Sequence, residues 1–413
     1  MMRCACVRPF PMVIKVGNYD GAERRSGDRR HADRRTSPVL ELRPSYAHVD
    51  TQAMRGNLRQ VQRAVGDNCR VLAVVKADGY GHGAVEVARQ LEDEGAWGLA
   101  VSLIEEGVEL RLGGIRAPVL VLGGVHPGSE DVVVHRSLTP VVWEAKHLSL
   151  LSAAVRRAGA PAIPIHLKID TGMSRLGVLP DALPAFLDQL EAVGNDTLVL
   201  EGVMTHLARA DEATDEADAT SRAQLQAFRT CLQVIRSRGF RPRLRHVCNS
   251  AGVKRFPEAH FDMVRPGIAL YGAASGPEAL LEDLRETMSL HSKVLGIREL
   301  PAGASISYGH RFTLDRPARV ALVPVGYADG YMRRMSGQAE VLIRGHRCKV
   351  VGNITMDVSM VDVSHLPDAR EGEAVTLMGH QGREAISAFD WAKWADVLPY
   401  EVLCGISKRV PRR

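Results

Sequence analysis

Val71-Leu-Ala-Val-Val-Lys76-Ala-Asp-Gly79-Tyr80-Gly81-His82-Gly83 reads as a buried apolar strand that ends in a lysine and enters a glycine-rich turn. A helical pattern follows from Ala84. A lysine at the C-terminal mouth of such a strand is held rigidly and partly desolvated. Both conditions lower its pKa and favour an imine with a carbonyl compound. Gly79, Gly81 and Gly83 let the backbone approach a ligand closely, and the next helix N-terminus suits a phosphate. Lysine, carbonyl and phosphate together point to pyridoxal phosphate (PLP). The plain alternative is a snorkelling lysine before an ordinary strand–helix turn, so the rest of the chain has to decide.

Working outward, apolar strand-like runs alternate with helical patterns from about residue 43 to 280. The expected strands are Val71–Lys76, Trp97–Ser102, Pro118–Gly123, Leu138–Trp143, Ile163–Asp170, Leu198–His206, Leu244–Asn249 and Asp262–Arg265. Helix-period segments such as Ala84–Glu94, Ile104–Leu112 and Arg222–Arg238 lie between them, while Val132-Val133-Val134 reads as strand or helix alike. Eight strands with intervening helices predict an α/β fold, a TIM-like (β/α)8 barrel. Lys76, Lys168, Asp170, His206, Asn249 and Arg265 all fall at or near C-terminal strand ends, the rim where such a barrel carries its chemistry.

After about residue 285 the runs Ser289–Leu300, Ala304–Leu314, Ala318–Tyr327 and Ala339–Val363 alternate apolar and polar residues. This pattern predicts a second, mainly antiparallel β domain, with one helix near Ala385–Trp394 before a last strand. The expected organisation is therefore a leader over 1–42, a barrel over 43–284 and a β domain over 285–413.

At 413 residues, 45% hydrophobic and 24% charged, the chain has an ordinary soluble composition and room for two cores. Its net charge of +5 is local. Residues 1–40 hold nine Lys/Arg against four Asp/Glu, and the remainder carries 44 of each sign. The body thus gives no electrostatic argument for a nucleic-acid partner. The leader repeats Glu23-Arg-Arg, Asp28-Arg-Arg and Asp33-Arg-Arg, the mixed-charge texture of a solvated, disordered tail. No apolar run reaches membrane-spanning length, and Pro11 and Lys15 interrupt the one short apolar piece of the leader. Seven scattered cysteines without a CxxC pair suit reduced thiols, so a cytoplasmic location is expected.

With these residues in view the chain resembles the alanine racemase family of PLP enzymes from about Arg43 to the end. The resemblance rests on separated motifs: VVKADGYGHG (74–83), LKIDTGMSRLG (167–177), MTHLARAD (204–211), CNSAG (248–252), VRPGIALYG (264–272), ISYGHRF (306–312), PVGYADGY (324–331), GNITMDVSMVDV (352–363) and PYEVLCGISKRVPR (399–412). It implies that Lys76 carries PLP covalently, and that Tyr80, Ser250, Tyr400 and the backbone N–H groups around Gly267 and Ile268 hold the phosphate. Hydroxyls and main-chain donors do this without adding a charged residue. Taken singly, Ser250 reads as a helix N-cap and Tyr80 as a packed aromatic.

The resemblance places Arg265 against the pyridine nitrogen, where a guanidinium donates and keeps that nitrogen unprotonated. A lone strand-end arginine would instead sit in a surface ion pair. Racemisation needs a base on each face of Cα. The resemblance implies Lys76 for one face and, for the other, Tyr308 supplied by the second subunit of a homodimer, beside His206. On sequence alone Tyr308 is a strand aromatic covering a sheet edge. Asn249 belongs to the cofactor pocket. Arg175 and the backbone N–H of Met356 are implied for the substrate carboxylate, Lys168 for a carbamate orienting Arg175, and Tyr327 and Asp357 for support at a narrow entrance. No metal is implied.

One departure is Asn353, where many relatives have an arginine lining the entrance corridor. Alanine is the expected substrate, feeding D-alanine to peptidoglycan. A broader racemase for serine, lysine or arginine shares every catalytic residue. A barrel-type PLP decarboxylase pairs the pyridine nitrogen with a carboxylate, which Arg265 opposes, and a non-catalytic PLP-binding protein lacks the β domain.

Overall fold

The computed structural model describes residues 43–276 and 281–413; the expected leader lies outside them. Short strands buried on both faces organise the first half. Gly98–Val101 and Val119–Val121 are buried along their whole length, as strands covered by helices outside and side chains inside must be. They belong to a closed parallel barrel of Arg70–Val74, Gly98–Val101, Val119–Val121, Thr139–Val142, Ile163–Lys168, Leu198–Met204, Leu244–His246 and Met263–Val264. The ring closes where Arg70 and Val71 register with Met263 and Val264. Each of the eight expected strands is present. The ambiguous valines fall in a helix, Glu130–His135, whose first turn carries Glu130 and Asp131 against the helix dipole.

The second half is antiparallel. Met288–Lys293, Ala374–Gln381, Glu340–Ile343 and His346–Lys349 form one sheet, and Gly296–Leu300, Ala318–Val323 and Ser359–Asp362 form another. A two-stranded hairpin pairs Ser305–Ile306 with Phe312–Thr313.

Two features differ from the expectation. Tyr46–Val49, within the span expected for the barrel, pairs antiparallel with Met288–Lys293 and caps the second domain's sheet. Its neighbouring helix Thr51–Val65, capped by Asp50 accepting from the Ala53 N–H at 2.8 Å, then leads back to the barrel. The helix Ala388–Ala395 is followed by a second helix, Pro399–Gly405, rather than by a strand. Pro399 presets the first turn and Glu401 accepts from the Leu398 N–H at 3.2 Å, so local chemistry starts a helix there.

Candidate active site

At the C-terminal rim of the barrel lies a cavity of about 310 Å³. Lys76 enters it from a strained turn: Ala77, Asp78, Gly79 and Tyr80 all have φ between 53° and 60°. Such left-handed runs persist only where the surroundings hold them. Here Glu106 does so, accepting from the N–H groups of Ala77 (2.6 Å), Ser102 (2.7 Å) and Leu103 (3.0 Å). Two of the three turn glycines are required by the chain's own packing. Gly81 packs on the Leu403 carbonyl and Gly79 on Val87. The N-terminus of the helix beginning at Ala84 is likewise taken, since Asp78 accepts the Ala84 N–H at 2.9 Å.

A cluster of hydroxyls and main-chain N–H groups forms across the rim instead. Asn249, not Ser250, caps the helix Ser250–Arg255, accepting from the Gly252 N–H at 2.9 Å. That frees the Ser250 hydroxyl to accept from the N–H groups of Gly267 (2.9 Å) and Ala269 (3.3 Å). A Cβ on Gly267 would stand 2.4 Å from the Tyr80 hydroxyl, so only glycine leaves the cluster open. Ile268 and Tyr400 complete this side of the cavity.

The opposite side is cationic and buried. Arg265, 3% exposed, has no carboxylate partner among the described residues and is buried rather than held in a surface ion pair. It donates to the carbonyls of Thr205 (2.8 Å) and Val247 (3.0 Å), to His206 Nδ1 (3.2 Å) and to His246 Nδ1 (3.1 Å). Burial pushes Arg265 down to about 10, which leaves it protonated at neutral pH. Burial, with Arg265 beside them, holds His206 and His246 well below the usual imidazole value, hence neutral. Burial also lowers Lys76, helped by Arg175, and pushes Lys168 down to about 8. Asp170 does not pair with Lys168. Its Oδ1 accepts the N–H groups of Gly172, Met173 and Ser174, each at 3.0 Å, and so shapes the loop that delivers Arg175.

Three positioning residues escaped the sequence reading: Glu106, His166 and His246. A guanidinium only donates, so His246 accepts on Nδ1 and carries its proton on Nε2, which meets His166 Nδ1 at 2.8 Å. The remaining His166 Nε2 faces Glu201 at 3.6 Å. Gly202 makes room for this ring, because a Cβ there would lie 2.5 Å from His166 Nδ1. The one available signal was inward alternation, Leu244 and His246 both being buried on a three-residue strand.

Four expected residues lie elsewhere. Tyr308 (74% exposed), Met356 (51%) and Tyr327 (42%) are on the second domain, outside the cavity that holds Lys76. Tyr327 and Met356 form one rigid face, since the Tyr327 N–H donates to the Thr355 carbonyl (2.9 Å) and the Ala328 N–H to that of Met356 (3.1 Å). Asp357 pairs with Arg409 at 2.7 Å.

A closed barrel with an appended antiparallel domain, a rim lysine of lowered pKa and a rim cluster of hydroxyls and main-chain N–H groups define a class of two-domain barrel enzymes. Residues 49–275 match the profile described as "Alanine racemase, N-terminal domain", and residues 287–413 match "Alanine racemase, C-terminal domain". The chain belongs to the alanine racemase family. An alanine racemase of Symbiobacterium thermophilum is 45% identical, covering 90% of this chain and 97% of its own. The crystal structure of alanine racemase from Streptomyces lavendulae superposes with a TM-score of 0.85 at 34% identity, covering 90% and 96%. That of Bartonella henselae, solved with covalently bound pyridoxal phosphate, gives 0.79 at 27% identity, covering 90% and 99%. The reaction is the interconversion of L- and D-alanine; the broader-specificity reading finds no support among these relatives.

Proposed function

We propose that the chain racemises alanine with PLP and two bases, in a head-to-tail homodimer whose subunits each complete the other's site. The observation that carries this reading is the separation of the two candidate bases. Lys76 is inside the barrel cavity, while Tyr308 projects from the second domain with its ring exposed. The cavity fits the cofactor. Ser250, Tyr80, Tyr400 and the N–H groups around Gly267 and Ile268 suit its phosphate, Arg265 its ring nitrogen, and Lys76 its carbonyl carbon; the Bartonella henselae relative holds pyridoxal phosphate covalently. Bound there, the cofactor supplies an electron-accepting ring that makes the substrate Cα proton acidic.

The residues around it then divide the work. Arg265 would donate to the ring nitrogen without giving up its proton, leaving the ring a weaker electron sink than one paired with a carboxylate. Lys76 would take or return the Cα proton on one face, and burial, helped by Arg175, lowers its pKa from the ordinary lysine value. Tyr308 of the partner subunit serves the other face, entering on the side of the cavity where His206 is hydrogen-bonded to Arg265. Arg175 and the N–H of the partner's Met356 hold the substrate carboxylate. Lys168, as a carbamate, orients Arg175, and the partner's Tyr327 narrows the entrance with Asp357 fixing its loop. D-Alanine made this way feeds peptidoglycan, and the unpaired cysteines among the described residues suit a reducing cytosol.

The test mixes two crippled homodimers, Lys76→Ala and Tyr308→Phe, after dissociation. A shared site predicts recovery of roughly a quarter of wild-type racemisation, because half the dimers are mixed and each has one intact site. A mixture as inactive as its parents would overturn the shared site.

A further inference from the structure

Tyr308 sits in a turn that its own sequence does not favour. Ser307 (φ 66°) and His310 (φ 46°) flank it in the left-handed region, and Gly309 (φ 75°) follows it. Non-glycine residues hold such angles only when something outside the turn fixes them. With its side chain exposed, Tyr308 has little packing to do so.

The fixing comes from position 353. Asn353 is 8% exposed, and its Nδ2 donates to the Tyr308 carbonyl at 2.6 Å. In return the Ser307 hydroxyl donates to the Asn353 carbonyl at 2.7 Å. The two segments are pressed together at Gly352, where a Cβ would meet the Ile306 carbonyl oxygen at 2.8 Å. The far side of Asn353 is anchored too, the Ile354 N–H donating to Ser336 Oγ at 3.0 Å.

We infer that Asn353 is a positioning residue, clamping the backbone of Tyr308 so that its hydroxyl reaches Cα in the partner's cavity at a fixed distance and angle. This rests on the reading of Tyr308 as the second base. Asn353 is thus a neutral clamp on the turn that carries Tyr308. Its short amide reaches the Tyr308 carbonyl and leaves no charge at its base.

The test compares holoenzymes of the wild type, Asn353→Asp, Asn353→Ala and Tyr308→Phe. Asn353→Asp keeps the shape but sets a carboxylate against the Tyr308 carbonyl. Both Asn353 variants are expected to lower kcat roughly 10- to 100-fold, the scale of a small misplacement of a reacting group, with little change in KM. With α-deuterated L- and D-alanine measured separately, the isotope effect should rise for the enantiomer that Tyr308 deprotonates and fall for the other. Amide hydrogen exchange should quicken over residues 305–314 and nowhere else. Unchanged kcat and exchange, or isotope effects shifting alike for both enantiomers, would overturn the clamp. Full activity in Tyr308→Phe would remove the second-base reading and the inference with it. A crippled Tyr308→Phe beside an unaltered Asn353→Asp would remove the inference alone. Should the Asn353 variants fail to fold, Ser307→Ala breaks the reciprocal bond and carries the same expectations.

Discussion

Gly81 and Leu403 meet backbone to backbone, so that a Cβ on Gly81 would stand 2.3 Å from the Leu403 carbonyl oxygen. The turn that carries Lys76 is thereby seated on the helix that carries Tyr400. Arg412 ties the same joint from the other side, its Nε donating to the Gly81 carbonyl at 2.9 Å. Two sides of the rim cavity, more than three hundred residues apart in sequence, are fixed by one close contact.

Gly81→Ala therefore faces two costs, a φ of 81° and an overlap with backbone that cannot move aside. About 2–4 kcal/mol of destabilisation is expected, the sum of a left-handed non-glycine and an overpacked contact. Urea unfolding measures it. A loss under about 0.5 kcal/mol, the size of an ordinary surface change, would mean that the joint is not rigid.

His82 predicts how stability follows pH. It is 2% exposed, with Nδ1 2.9 Å from the Tyr80 carbonyl and Nε2 2.8 Å from the Thr287 hydroxyl. Burial pushes its pKa from 6.5 to about 4. The unfolded chain then binds the extra proton, so this contribution is intact above pH 6.5 and is lost as pH falls toward 4. His166, His206 and His246 are lowered in the same direction and add to the slope. Between pH 6 and 4.5 the His82→Gln variant should lose stability less steeply than the wild type, by up to about 1.4 kcal/mol per pH unit. Parallel slopes in urea titrations at several pH values would count against it.

Much of this was legible in the sequence because parallel barrel strands, buried on both faces, appear as continuous apolar runs at regular spacing. Eight such runs fixed the barrel, and polar residues at their ends marked the rim. Tyr46–Val49 was not legible as part of the second domain, because its partner Met288–Lys293 lies far along the chain and pairing leaves no local trace. The packing role of Gly81 was not legible for the same reason, since nothing near it announces Leu403. Ser250 was ambiguous until the neighbouring Asn249 was seen to take the cap, which freed the hydroxyl for the rim cluster. Glu106 escaped notice because a carboxylate opening a helix usually answers only its own first turn, whereas this one also reaches back to Ala77.

Lys168 carries the last prediction. It is 6% exposed and, among the described residues, has no carboxylate within ion-pairing distance, since Asp170 is committed to three backbone N–H groups. Burial first, then Arg175 and Arg265, push its pKa down to about 8. About a tenth of the amines are then neutral at pH 7, and more as pH rises through 8. A neutral amine can attack carbon dioxide, forming the N–C bond and releasing one proton to leave a carbamate anion. That anion would lie near the guanidinium groups of Arg175 and of buried Arg265, both of which act electrostatically on Lys168. Protein equilibrated with ¹³C-bicarbonate is expected to show a carbamate carbonyl resonance that grows from pH 6.5 to 8.5 and is missing from Lys168→Met. The same variant should raise KM for alanine roughly tenfold, about 1.4 kcal/mol of lost orientation at Arg175. If no resonance separates the wild type from Lys168→Met, the lysine is unmodified. Its effect on Arg175 must then run through a neutral or protonated amine.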